Sequence, residues 1–154
     1  MANYQFTVTH KIMATPQRVY DVWLSPDDPR GPWVGDGQRA LDARVGGRYN
    51  WFDHNFSDLG GGGGAWDHWG EFTRLEPGKL IEYTWTSEWT DYYETKILVE
   101  FAVDSDDPRF CAITLTQSNL PDNWHGHEHS KAWMRILGEM SARFWGNAER
   151  VSRV

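Results

Sequence analysis

The segment His125-Gly126-His127-Glu128-His129 puts three imidazoles and a carboxylate within five residues. Neutral imidazoles and carboxylates are good ligands for zinc and similar ions, so metal binding is the first chemistry to weigh. His125 and His129 share a helix face only if both lie inside the helix. A carboxylate in a helix's first turn is explained as well by the macrodipole. The cluster is therefore read without a metal, and two readings stay open for it: a solvated first helical turn, or one imidazole lining a cavity mouth. A second group, Asp53, His54, Asp58, Asp67 and His68, flanks five consecutive glycines at 60–64. A functional site must be held to within about 0.5 Å, which flexible glycine does poorly. Two readings stay open for this segment: a lid hinged on Gly60–Gly64, or a surface loop. No Lys-Ser/Thr follows the glycines, so they are not a phosphate loop. Cys111 sits alone in an apolar alternating stretch and reads as a small buried residue rather than a nucleophile. No Ser-His-Asp, Cys-His or paired-carboxylate arrangement is legible, since such partners meet in space rather than in sequence.

The more telling residues are aromatic. The chain of 154 residues holds 10 Trp, 6 Tyr and 7 Phe. A small domain rarely buries so many large rings without leaving some to line a cleft. On strand alternation, Tyr49 and Trp51 share a face, as do Ile81, Tyr83 and Trp85, and Ile97, Val99 and Phe101. With Trp33, Phe72, Trp133 and Leu137 they are the expected walls of an apolar binding space. Arg74, Tyr83, Gln117 and Asn119 are the polar residues expected to orient a ligand's carbonyl or hydroxyl.

Net charge is −7 and the calculated pI about 5.3. That excludes the basic face a nucleic acid requires and disfavours an anionic membrane surface. No apolar run approaches the ~20 residues of a membrane span, and the N-terminus lacks a signal-peptide pattern. A cytoplasmic location is the default expectation, with no cofactor and no membrane insertion; assembly as a homodimer stays open.

The elements that must position these residues follow from periodicity. Residues 4–13 alternate as a strand. Thr15 then caps a short helix that has Pro16 at its first position and Val19, Tyr20, Val22 and Trp23 on its apolar face. Leu41, Ala43 and Val45 alternate, Gly46-Gly47 turns, and Tyr49 and Trp51 continue, giving a hairpin. Strand signals cover 69–75, 80–89, 93–103 and 110–117, with a turn at Glu76-Pro77-Gly78. From about Trp124 to Arg150 the period becomes helical, and Trp133, Ile136, Leu137, Met140, Phe144 and Ala148 form one stripe. No repeat or linker interrupts 1–154, so a single α+β domain is expected.

Several segments, taken in order, resemble one family. They are Ala14-Thr15-Pro16 running into Val19-Tyr20-Asp21-Val22-Trp23, Asp42-Ala43-Arg44-Val45-Gly46-Gly47-Arg48-Tyr49, Gly70-Glu71-Phe72, Glu76-Pro77-Gly78-Lys79-Leu80, Tyr83-Thr84-Trp85 and Ile113-Thr114-Leu115-Thr116. With Trp33, Trp133 and Leu137 they make the chain similar to the START-like (SRPBCC) helix-grip superfamily. Within it they most resemble the branch related to the activator of the heat-shock-protein ATPase. The resemblance implies a curved seven-stranded antiparallel sheet wrapped around a long C-terminal helix, two short helices between strands 1 and 2, and a cavity between sheet and helix. Relatives of this kind bind lipids, polyketides, flavonoid-like rings or plant hormones, and some cyclise or dehydrate polyketides. The chaperone-stimulating members carry a further N-terminal domain for which this chain has no room. The expected function is binding of a small, largely apolar molecule. Acid–base chemistry with a cavity His or Tyr, and a protein-interaction or chaperone-partner role, are the rivals, and fold alone does not choose between them.

Overall fold

The computed structural model describes residues 2–33, 39–53 and 66–152. Seven strands form one antiparallel sheet in the order β1-β7-β6-β5-β4-β3-β2. They are β1 (Ala2–Ile12), β2 (Arg39–Leu41), β3 (Arg48–Asp53), β4 (Trp66–Glu76), β5 (Leu80–Trp85), β6 (Thr95–Val103) and β7 (Cys111–Pro121). A short helix α1 (Pro16–Trp23) follows β1, and a long helix α2 (Trp124–Ser152) ends the chain. This is the helix-grip architecture. Among the described residues no helix is long and apolar enough to cross a membrane.

Local chemistry explains each element. Thr15 caps α1 through Oγ1, which accepts from the Arg18 N–H at 3.2 Å, with Pro16 just inside. Only this one α-helix stands between β1 and β2 among the described residues, where two short helices were expected. Asn123 starts α2 by accepting the Gly126 N–H at 2.9 Å. Gly126 is obligatory there, since a Cβ would run into the Pro121 carbonyl. Gly78 takes φ +71° in the turn 76–79, closed by the Lys79 N–H to Glu76 oxygen bond at 2.9 Å.

Two strand boundaries differ from the sequence reading. The alternation at Leu41, Ala43 and Val45 leaves the sheet after Leu41. Asp42 to Gly47 forms a turn, and Val45 is 61% exposed. The run 80–89 ends at Trp85 because Ser87 and Thr90 close a capping box around the 3-10 turn Glu88–Thr90. Local side-chain bonds at Ser and Thr here outcompete the ladder.

The inward face of the sheet carries Tyr49, Trp51, Phe72, Ile81, Tyr83, Trp85, Ile97, Val99, Ile113 and Leu115, all buried. α2 turns Trp133, Ile136, Leu137, Met140 and Phe144 toward them. Cys111 is buried too, and burial pushes its thiol up to about 11.

Candidate functional site

The sheet and α2 bring ten of the twelve expected site residues into one interior cluster: Trp33, Tyr49, Trp51, Phe72, Tyr83, Trp85, Val99, Gln117, Trp133 and Leu137. Ring centroids stand close throughout. Trp33 lies 5.2 Å from Tyr49 and 5.7 Å from Trp51, and Trp85 lies 5.4 Å from Trp133. The cluster is pinned by specific bonds. Trp33 Nε1–H donates to the Trp23 carbonyl at 2.6 Å, and the Tyr49 hydroxyl donates to the Thr84 carbonyl at 2.5 Å.

Gln117 is spent on the protein itself. Its Oε1 accepts the Trp133 indole N–H at 3.0 Å, and its Nε2 donates to Thr95 Oγ1 at 3.0 Å. Thr95 in turn donates to the Trp85 carbonyl at 2.6 Å. This chain ties the helix tryptophan to β6 and β7, so Gln117 orients Trp133 directly.

Arg74 and Asn119 do not join the cluster. The pairing of β4 with β5 shifts register between Phe72 and Arg74. Inward alternation at His68, Gly70 and Phe72 is thereby interrupted, and Arg74 turns to the surface, where it pairs with Glu76 at 2.9 Å. Asn119 occupies the left-handed conformation, φ 64°, at an irregularity between β1 and β7, and its Nδ2 donates to the Glu94 carbonyl at 2.7 Å.

Three interior polar residues escaped the sequence reading. Trp23 on α1 stacks on Trp133, 6.2 Å apart at 17°, and has no exposed surface. Its indole N–H and the Tyr83 hydroxyl are buried without a hydrogen-bond partner of normal geometry among the described residues. Burial pushes the Tyr83 phenol far above its ordinary range, and the nearby Trp23 N–H offsets this only in part. His68 lies flat on Trp85 at 4.5 Å. Burial drives its imidazole well below the ordinary value, and the facing His129 adds to the effect. His129 is fully buried on α2. Burial lowers it to about 4, against the opposing pull of the His125 carbonyl, which lies 2.8 Å from Nδ1. That bond makes Nδ1 the protonated nitrogen of the neutral ring.

The sequence did carry a signal for both histidines. His68 is in phase with Phe72, and His129 falls four residues before Trp133 on the apolar stripe. The other histidines of the N-terminal cluster face outward: His127 meets Asp122 at 2.6 Å, and His125 lies 3.5 Å from Asp91. The segment read as either a lid or a surface loop at Gly60–Gly64, with His54 and Asp58, lies outside the described residues.

A family model described as Activator of Hsp90 ATPase homolog 1-like protein matches residues 13–144. Protein CV1439 from Chromobacterium violaceum is 24% identical, with a TM-score of 0.70 over 91% of this chain and 96% of that one. DynU16, a protein of the dynemicin biosynthetic locus, is 13% identical with a TM-score of 0.67, over 90% of this chain and 46% of that one. The HSP90 activator PFC0360w from Plasmodium falciparum is 18% identical with a TM-score of 0.52, over 77% of this chain and 75% of that one. At these identities the likenesses establish the fold alone. No curated protein matches the chain.

Proposed function

The chain belongs to the family of activator of Hsp90 ATPase homolog 1-like proteins, and from that premise we propose that it binds a small, largely apolar ring compound between sheet and α2. One observation carries this reading: the indole N–H of Trp23 and the hydroxyl of Tyr83 are buried within a cluster of stacked rings and make no hydrogen bond of normal geometry among the described residues. Each such group costs roughly 1–3 kcal/mol when unpaired, so a core selected only for stability would replace them with apolar atoms. A ring bearing a carbonyl or hydroxyl would satisfy both while its faces stack on Trp33, Tyr49 and Trp133.

A second reading, acid–base chemistry, has His68 and His129 in its favour. Lowered to about 4, however, His129 is neutral at pH 7. It accepts a hydrogen bond well but is a weak base and holds no proton to donate from an imidazolium.

The test is a titration of the full chain with a hydroxylated flavonoid such as quercetin, followed by tryptophan fluorescence, with native mass spectrometry of freshly purified protein beside it. Tyr83→Phe should weaken binding about tenfold while changing the melting temperature little, because the hydroxyl it removes makes no hydrogen bond of normal geometry in the free protein. Wild-type affinity in Tyr83→Phe together with a lowered melting temperature would make the ring simply core.

A further inference from the structure

The outer face of the sheet carries a recess that shares only Tyr49 with the interior cluster. A cleft of about 340 Å3 opens over β3, β4 and β5, on the side opposite α2. On one flank Trp69 and Tyr92, 40% and 65% exposed, bring their rings to 6.4 Å with 33° between the planes. Arg48, Glu71 and Glu94 stand on the others. Arg48 and Glu71 are cross-strand partners in register, so with Glu94 the rim carries two carboxylates to one guanidinium. Glu94 has no ion-pair partner among the described residues. Two exposed π faces beside an unbalanced carboxylate, on a protein of charge −7, form an environment that attracts an organic cation.

The backbone holds Tyr92 in this place at a cost. Asp91 and Tyr92 take φ 54° and 63°, a region that a bulky L-residue rarely enters. Several bonds hold them there. The Tyr92 N–H donates to the Ser87 carbonyl at 3.0 Å, and Asn123 Nδ2 donates to the Asp91 carboxylate at 2.7 Å. The preceding Ser87–Thr90 capping box fixes the approach. The surrounding bonds thus over-determine a strained turn at this point. What it achieves is a tyrosine ring standing over Trp69 at the rim of the cleft.

We propose that this cleft binds small organic cations with an ammonium head, seated against Trp69 and Tyr92 and neutralised by Glu94. The site does not depend on the interior reading. The test is calorimetric titration of the full chain with tetramethylammonium chloride at constant ionic strength, with tert-butanol as a neutral comparator of similar size. The cation should bind saturably and about tenfold more tightly than the alcohol. Trp69→Ala and Glu94→Gln should each weaken it at least threefold or so. Tyr92→Gly should do the same without lowering the melting temperature, since glycine accepts the positive φ. Tyr83→Phe, in the interior, should leave this binding unchanged. Equal affinity for the alcohol, wild-type affinity in the Trp69, Glu94 and Tyr92 variants, a loss in Tyr83→Phe, or no saturation up to roughly 100 mM would each overturn the proposal.

Discussion

Acidification should destabilise this protein through His129 well before its carboxylates titrate. The unfolded imidazole has a pKa near 6.5, and burial on α2 lowers it to about 4 in the folded chain. A group depressed on folding contributes stability that is fully present above its unfolded pKa and is lost as pH falls toward the folded one. Between pH 7 and 4 the loss from His129 is roughly 3 kcal/mol, from 1.36 kcal/mol per pKa unit. His68, lowered by burial and by the His129 charge, adds to it in the same direction. For a chain of this length, about 3 kcal/mol corresponds to some 6–12 °C in Tm. Carboxylates held below their usual range, such as Asp28 with its bond from Arg30, give up their contribution only below about pH 4, outside this window. The assay is thermal unfolding by near-UV circular dichroism at half-unit steps from pH 7.5 to 4. His129→Asn keeps a donor near the Nδ1 position and cannot be protonated. The variant loses packing at every pH, so the informative quantity is the slope of Tm against pH. A slope in His129→Asn equal to that of the wild type would refute the reasoning.

Three further outcomes follow from the packing. Gly70→Ala should cost about 2 kcal/mol or more in urea unfolding, because the new Cβ meets the Thr84 carbonyl and the Tyr49 ring; a neutral result would mean the β4–β5 irregularity relaxes freely. Gln117→Leu should cost about 1–3 kcal/mol by orphaning the Trp133 indole N–H, and should broaden Trp133 indole resonances; an unchanged denaturation midpoint would show that another acceptor takes over. With its thiol raised to about 11, Cys111 should react with an aromatic disulfide reagent at pH 8 only as fast as the chain unfolds, and rapid labelling of the native protein would contradict its burial.

Much of this architecture was legible because burial imposes a period. β5 alternates half-buried and buried from Leu80 to Trp85, and Trp133, Ile136, Leu137, Met140 and Phe144 all fall on the buried side of α2. The period failed where it was locally broken. Arg74 reads as in phase with Phe72, but the register shift between them turns it outward. Asn119 sits at a comparable irregularity, and no alternation rule reaches it. Ser87 and Thr90 ended a strand through side-chain bonds that an apolar count does not register. The polar interior was harder still. Trp23 counted only as an apolar helix residue, and its N–H matters because Tyr83 comes to face it across the fold. His129 was read with its exposed neighbours His125 and His127, although its spacing from Trp133 placed it on the buried stripe.

Each of β2 to β7 pairs with a strand next to it in sequence, but β1 does not. It pairs with β7, so Thr7 meets Thr116 only after the intervening chain has been made, and their hydroxyls then lie 3.0 Å apart. At ordinary synthesis rates β1 must wait roughly 5–20 s after translation for its partner. During that wait its alternating Tyr4, Phe6 and Val8 have no sheet to join. α1, which packs against β6, is in the same position. The hairpins from β2 to β7 join strands adjacent in sequence, whereas β1 closes the sheet over the most distant pairing in the chain. Long-range closure of this kind slows folding, and it makes the nascent N-terminal strand the segment most in need of a chaperone's cover.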